Sequence, residues 1–269
     1  MDERPVLFLD SGLGSFPYGH SFHVRNAAEK LICVADRANF PYGGKSRDEL
    51  IALLDTLVLK LISQHNPKVL ALACNTASVT ALAYLREKHP SLLIVGTVPA
   101  VKPAVITSVK RRVGVLGTVR TIDDPCIREL ARQYGPDCEI TGVAAPDLVE
   151  FAEHRYVNAT VGERLGAVSL YIEKFRSLDV DAIVLGCTHF LLLIDEFRTA
   201  AGKDIGVYDS VEGISRRVES ILDGEDAKLR ANPRGEGGAP LVVITGGGKP
   251  EPYWEQLCTR FGFTMEKTT

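Results

Sequence analysis

Neither sign of charge dominates this chain: 31 Lys and Arg stand against 34 Asp and Glu in 269 residues, a formal net charge of −3. A polybasic nucleic-acid binder is therefore excluded as the default, because phosphate recognition needs a cationic excess. Long hydrophobic runs are missing as well. The longest stretch without a charge, Val69 to Leu85, carries Cys74, Asn75, Thr76, Ser78 and Thr80 through its middle and falls short of the roughly 20 apolar residues a spanning helix requires. No membrane partner is expected. The opening Met1-Asp2-Glu3-Arg4 has neither a basic start nor a small-residue cleavage site before an apolar run, which gives a cytoplasmic expectation. Six cysteines occur without one CxxC pair, as in reduced intracellular thiols and unlike a disulfide framework.

What is present is enough apolar material for a substantial core, 45% of the residues, which rules out intrinsic disorder. Short apolar runs alternate with longer amphipathic stretches, the pattern of parallel sheets covered on both faces by helices, so the fold class is α/β. Strands are expected at Val6 to Leu9, Leu31 to Ala35, Val69 to Ala73, Leu92 to Val95, Val113 to Leu116, Glu139 to Val143, Ala182 to Leu185, Ile205 to Tyr208 and Leu241 to Thr245. That number fits two sheets better than one. Apolar spacing near 3.6 predicts helices over Ser46 to Gln64, Asp123 to Tyr134, Val161 to Arg176 and Val211 to Leu222. Asp223 to Pro240, rich in Gly, Pro and charge, reads as a surface loop.

The chain echoes itself. Val69-Leu-Ala-Leu-Ala-Cys-Asn-Thr76 matches Ala182-Ile-Val-Leu-Gly-Cys-Thr-His189, each an apolar strand closed by a small residue, a cysteine and polar groups. Asp10-Ser11 against Asp209-Ser210, and Gly96-Thr-Val98 against Gly117-Thr-Val119, extend the likeness to two similar halves. In open parallel sheets ligands collect beyond the carboxyl ends of strands, where Cys74 and Cys187 both fall. A helix N-terminus there stabilises a thiolate; moving a thiol from about 8.5 towards neutrality is worth about 2 kcal/mol. An isolated cysteine among apolar residues is a small core hydrophobe, and that reading stands for Cys33, Cys126, Cys138 and Cys258. Two matched contexts reverse it for Cys74 and Cys187.

A thiol from each half suits racemisation, with one removing a proton from a carbon while the other delivers one to the opposite face. Asp10 at the first strand end and His189 beside Cys187 are candidate assistants, against the plainer readings of a turn former and a satisfied buried imidazole. Ser11, Asn75, Thr76 and Thr188 offer polar groups that could hold a small carboxylate and ammonium, or simply cap helices. Pro41-Tyr42-Gly43-Gly44 forms a turn into the next helix, with backbone N–H groups an anion could use.

Four segments carry a resemblance: Phe8-Leu-Asp-Ser-Gly-Leu-Gly14, Phe40-Pro-Tyr-Gly-Gly-Lys-Ser46, Ala73-Cys-Asn-Thr-Ala-Ser78 and Leu185-Gly-Cys-Thr-His-Phe190. They resemble the glutamate racemases of the aspartate/glutamate racemase superfamily, in order and spacing from Val6 to about Leu222. The resemblance implies a cofactor-independent enzyme interconverting L- and D-glutamate for peptidoglycan synthesis, with two similar α/β domains enclosing the site. The domains it implies are 1–97 plus 208–269, and 98–207. Cys74 and Cys187 take the acid–base positions, with Asp10 and His189 assisting. Ser11, Tyr42, Gly43, Asn75, Thr76 and Thr188 take substrate positions, and Thr118, Thr121 and Glu153 fall at further pocket positions. The implied partner is glutamate, with a homodimer allowed and no cofactor or metal. Two departures stand out: Gly14-Ser-Phe-Pro-Tyr-Gly-His20 replaces the usual Gly-Gly and hydrophobic stretch, and Leu191 replaces a proline.

Rival readings remain. Aspartate racemisation needs the same thiols and differs by one methylene, worth about 1–3 kcal/mol in a pocket. Zinc on Cys74, Cys187 and His189 lacks compact spacing and a fourth ligand. Gly12-Leu-Gly14 and Gly246-Gly-Gly-Lys249 do not complete a nucleotide-binding motif. A non-catalytic small-molecule binder could use the same fold, but would have no use for paired thiols.

Overall fold

The computed structural model describes residues 2–224, 237–247 and 250–266. The chain begins β1 (Val6–Asp10), α1 (Ser15–Arg25), β2 (Leu31–Ala35), α2 (Arg47–His65), β3 (Val69–Leu72), α3 (Asn75–Lys88) and β4 (Leu93–Gly96). It continues through α4 (Val101–Thr107), β5 (Arg112–Gly117), α5 (Val119–Asp123), α6 (Pro125–Tyr134), β6 (Glu139–Ala144), α7 (Pro146–His154), α8 (Val161–Ser177), β7 (Ala182–Gly186), α9 (Ile194–Ala201) and β8 (Gly206–Tyr208). Then come α10 (Val211–Leu222), β9 (Leu241–Ile244), α11 (Pro252–Phe261) and β10 (Thr264–Met265). Two compact units result, Met1–Thr97 with Val211–Thr269, and Val98–Ser210.

Each unit holds one sheet, and the described strands pair only in parallel. The first sheet has the order β10-β9-β2-β1-β3-β4 and the second β6-β5-β7-β8. The segment β2-β1-β3-β4 and the whole of β6-β5-β7-β8 are therefore the same topology written twice. In both, the chain steps to one side after the first strand and returns across it to the third. This creates a switch point where the loops after those two strands diverge. Cys74 follows β3 and Cys187 follows β7, the third strand of each repeat, so that echo is topological. The other two echoes are not: Asp10-Ser11 follows β1 whereas Asp209-Ser210 follows β8, and Gly96-Thr97 closes β4 whereas Gly117-Thr118 closes β5.

Alternation along β1 shows how both faces are buried. Leu7 and Leu9 join a core with Leu50, Leu54 and Leu61 of α2 and Ala77 and Ala81 of α3. Phe8 points the other way and meets Phe22 of α1, with ring centroids 5.6 Å apart. In the second unit Val113, Val115, Ala182 and Val184 pack with Val101, Ala104, Val105 and Ile127. The nine expected strands all occur, and β10, only two residues long, is too short to show alternation. Helix α1 was not expected because it contains Pro17 and Gly19. Pro17 lies in the first turn, where no intrahelical acceptor awaits its missing N–H. Gly19 lets the helix press on β2, since a Cβ there would lie 2.3 Å from the Cys33 sulfur. Of the loop expected over Asp223 to Pro240, residues 225–236 lie outside the described residues, as do Gly248 and Lys249.

At the amino edge of the first sheet, Lys68 donates to Glu29 at 2.5 Å and to the Asp2 carbonyl at 2.7 Å, with both side chains of the ion pair almost fully buried. Replacing one partner leaves the other charge uncompensated. Lys68→Met is expected to lower the unfolding free energy by about 3–5 kcal/mol in urea titrations, with much of the loss recovered in Lys68→Met/Glu29→Leu. A single-variant loss below about 1 kcal/mol would show the pair to be relaxed and solvated in solution.

Candidate active site

In the first unit the switch point lies between the loops after β1 and β3. Asp10 ends β1, and its side chain turns towards the α1 face. There Oδ2 accepts the N–H of Gly12 at 2.8 Å and of Gly14 at 3.1 Å. The carboxylate thus shapes the Asp-Ser-Gly-Leu-Gly loop and occupies the N–H groups that a phosphate would need. Ser11 is buried beside it. Across the switch point Cys74 is extended (φ −147°, ψ 118°) and immediately precedes α3, of which Asn75 and Thr76 form the first turn. All three are buried. The Asn75 amide has no hydrogen-bond partner at either Oδ1 or Nδ2. Burying an amide without partners costs free energy, so this side chain, beside Cys74 at the start of α3, is suited to receive a ligand.

The Pro-Tyr-Gly-Gly turn is a 3-10 segment, Tyr42–Gly44, leading to α2. Ser46 caps that helix in a capping box with Glu49. Gly43 is half-buried. The Tyr42 phenol donates to Asp36 Oδ2 at 2.7 Å. Its pKa is driven well above the ordinary phenol value by burial first, then by the negative charge of Asp36 and by their hydrogen bond, with smaller contributions from Cys74 and Asp10.

Asp36 went unnoticed in the sequence. Fully buried after β2, it accepts from Tyr42, from Asn39 Nδ2 at 2.9 and 3.1 Å and from Thr245 Oγ1 at 2.5 Å. It ties the turn to the end of β9. The only signal available was a carboxylate directly following an apolar strand, a pattern Asp10 shares.

In the second unit the corresponding loops follow β5 and β7. Thr118 caps α5 by accepting the Thr121 N–H, and the two hydroxyls lie 3.1 Å apart. Cys187 is extended (φ −135°, ψ 132°). The structure departs here from the expected helix N-terminus. Thr188–Leu193 is a 3-10 segment with every side chain buried, and α9 begins only at Ile194. A run with no solvent face gains nothing from the 3.6 period that gives an α-helix one. The Cys187 sulfur lies 3.9 Å from His189 Nδ1, and His189 Nε2 lies 2.9 Å from Glu153 Oε2 on α7. Thr188, His189 and Glu153 are buried. A thiol, an imidazole and a carboxylate thus stand in line, an arrangement in which the carboxylate orients the ring and the ring exchanges a proton with sulfur.

The other cysteines differ. Burial pushes the thiols of Cys33, Cys126 and Cys138 above the ordinary value and that of Cys258 up to about 11, a shift away from the thiolate form that attacks or takes up protons. Among the described residues no group of three or more His, Cys, Asp and Glu side chains could hold a metal ion. No described helix is long and apolar enough to cross a membrane.

Comparison with known proteins points the same way. Residues 23–215 match the model of the Asp/Glu/hydantoin racemase family. The glutamate racemase of Treponema pallidum (strain Nichols) is 38% identical over 231 residues, 86% of this chain and 85% of that protein. That of Sphingopyxis alaskensis is 36% identical, over 83% of this chain and 84% of its own length. Among solved structures, the Escherichia coli glutamate racemase in complex with L-glutamate and the activator UDP-MurNAc-ala superposes with a TM-score of 0.82 at 28% identity, covering 97% of each chain. With two parallel α/β units, two strand-end cysteines and these similarities, the chain belongs to the Asp/Glu/hydantoin racemase family.

Proposed function

We propose that this chain interconverts L- and D-glutamate by proton transfer between substrate and two thiols, without a cofactor, and so supplies D-glutamate for peptidoglycan synthesis. The observation that carries the reading is the placement of Cys74 and Cys187 after the third strand of two four-strand segments of the same order, each with polar side chains of its own. In one direction the Cys74 thiolate takes the α-proton and becomes a thiol. The electron pair left on carbon delocalises into the substrate carboxylate. The Cys187 thiol protonates the opposite face and becomes the thiolate, and the roles exchange for the other enantiomer. Exchange with water restores the starting protonation. Reduced thiols of this kind persist in the cytoplasm, where the reading places the reaction.

Asp10 and His189 assist the nearer sulfur, and Glu153 holds the His189 ring. Asn75, Thr76, Ser11, Tyr42, Gly43, Thr188, Thr118 and Thr121 bind the substrate's polar ends. The unpaired Asn75 amide is suited to a carboxylate through Nδ2 and to an ammonium through Oδ1. Aspartate is the competing substrate, and the similarity to proteins named glutamate racemase favours the longer side chain.

Dialysed protein kept in a chelator is expected to racemise glutamate, with aspartate slower by about 10–200-fold, as suits one methylene. Cys74→Ala and Cys187→Ala should each cut kcat by about 10²–10⁴-fold, the range of a lost general acid or base. Near-normal turnover in either variant contradicts the two-thiol assignment. Asn75→Ala should raise KM about tenfold, one hydrogen bond's worth, while the free protein keeps or gains thermal stability because no internal bond is lost. A clear drop in melting temperature would mean that the amide has a partner in the free protein.

A further inference from the structure

The backbone that carries Cys74 is held by a close set of buried hydrogen bonds. The Leu72 carbonyl, two residues before Cys74, receives three donors: Thr97 Oγ1 at 2.6 Å, Ser78 Oγ at 3.2 Å and the Thr97 N–H at 3.2 Å. The Thr97 N–H also donates to Ser78 Oγ at 2.8 Å. Ser78 reaches the other side of the same short turn as well, because its own N–H donates to the Cys74 carbonyl at 2.9 Å. One serine thus brackets Ala73 and Cys74, through its hydroxyl on one side and its N–H on the other. The opposite edge is fixed by the Ala73 N–H, which donates to the Leu9 carbonyl at 2.7 Å.

Both hydroxyl-bearing residues are enclosed, Ser78 at 7% exposure and Thr97 at 1%, so water does not compete for these bonds. Only two lone pairs are available on a carbonyl oxygen, and three donors converging on one is more than a strand end needs. The ladder bond from Thr97 N–H alone would continue the pairing of β3 with β4. The added hydroxyls fix where β3 stops and α3 starts, and hence where the first turn of α3 points its N–H groups relative to the Cys74 sulfur. After Cys187 the backbone turns into a 3-10 segment, and the Cys187 sulfur faces His189, which in turn meets Glu153.

We propose that Ser78 and Thr97 are positioning residues for Cys74. They act through the Leu72 carbonyl to hold the sulfur where it can reach a substrate α-carbon and share the field of the α3 N-terminus. The proposal rests on the reading of Cys74 as one of the two acid–base thiols. A displacement of about 1 Å at a reacting group can cost about 10²-fold in rate, so loosening this turn falls on kcat more than on KM.

The test uses the full chain with Thr97→Val, which keeps shape and removes the hydroxyl, Thr97→Ser, which restores it, and Ser78→Ala as an independent variant should Thr97→Val fail to fold. Alkylation by iodoacetamide is followed at each cysteine by peptide mass spectrometry across pH, beside kcat, KM and melting temperature. The expected result is a shifted pH–rate profile at Cys74 alone and a fall in kcat of about tenfold or more with KM changed less than about threefold, with Thr97→Ser close to the parent. A lower melting temperature with both profiles and kcat at parental values would overturn the proposal, as would equal shifts at Cys74 and Cys187. Failure of the underlying reading looks different: alkylation of Cys74 in the parent protein would then leave turnover intact.

Discussion

Parallel pairing throughout each sheet is the constraint from which the site follows. When every strand in a sheet runs one way, every carboxyl end lies on one edge, and each following loop must turn there into a helix. Side chains distant in sequence, such as Asp10, Asp36, Tyr42 and Cys74, gather at that edge of the first unit without any local motif linking them. The second unit repeats the device with Thr118, Cys187 and, through α7, Glu153. At the amino edge of the first unit the sheet is closed by the buried Lys68–Glu29 pair, and at that of the second Asp181 accepts from Ser108 Oγ and from the N–H groups of Val109 and Lys110. Parallel polarity thus places these fold-securing contacts at one edge of each sheet and the candidate side chains at the other.

Burial makes demands on those side chains that the surroundings meet in different ways. Asp36 is saturated by Asn39, Tyr42 and Thr245, and Asp10 is engaged by Gly12 and Gly14. Asn75 is left unpaired, the state expected of a group kept for something that arrives later. Cys74 sits on a strand-to-helix turn whose Leu72 carbonyl is held by Ser78 and Thr97, and Cys187 stands beside an imidazole that meets a carboxylate. The proposed reaction asks of each thiol only that its own position and proton affinity be controlled.

Much of this could be read from the residues alone. Apolar runs marked the strands because in a buried parallel sheet each strand is apolar on both faces, and the repeated strand-small-Cys pattern marked the two sulfurs. Helices whose periodicity is disguised were harder. Helix α1 hides behind Pro17 and Gly19, and α3 buries Asn75, Thr76, Ser78 and Thr80, so polar residues occupy positions where the amphipathic rule expects apolar ones. Asp36 escaped because a single acid after a strand says nothing of its three partners, one of them, Thr245, more than 200 positions away. The 3-10 form after Cys187 was also invisible, since a run buried on every side shows no amphipathic period. The echoes through Asp209 and Thr118 misled because short matches carry no strand order.

The central claim is that two different sulfurs serve opposite faces of one carbon, and the fate of solvent deuterium tests it most directly. L-glutamate and, separately, D-glutamate are incubated with the protein in heavy water, and both enantiomers are analysed after separation while conversion is still small. Two bases predict deuterium at the α-carbon of the newly formed enantiomer and protium retained in the starting one, in both directions. Deuterium appearing equally in starting material and product from the earliest times would mean that a single group handles both faces, and would contradict the account.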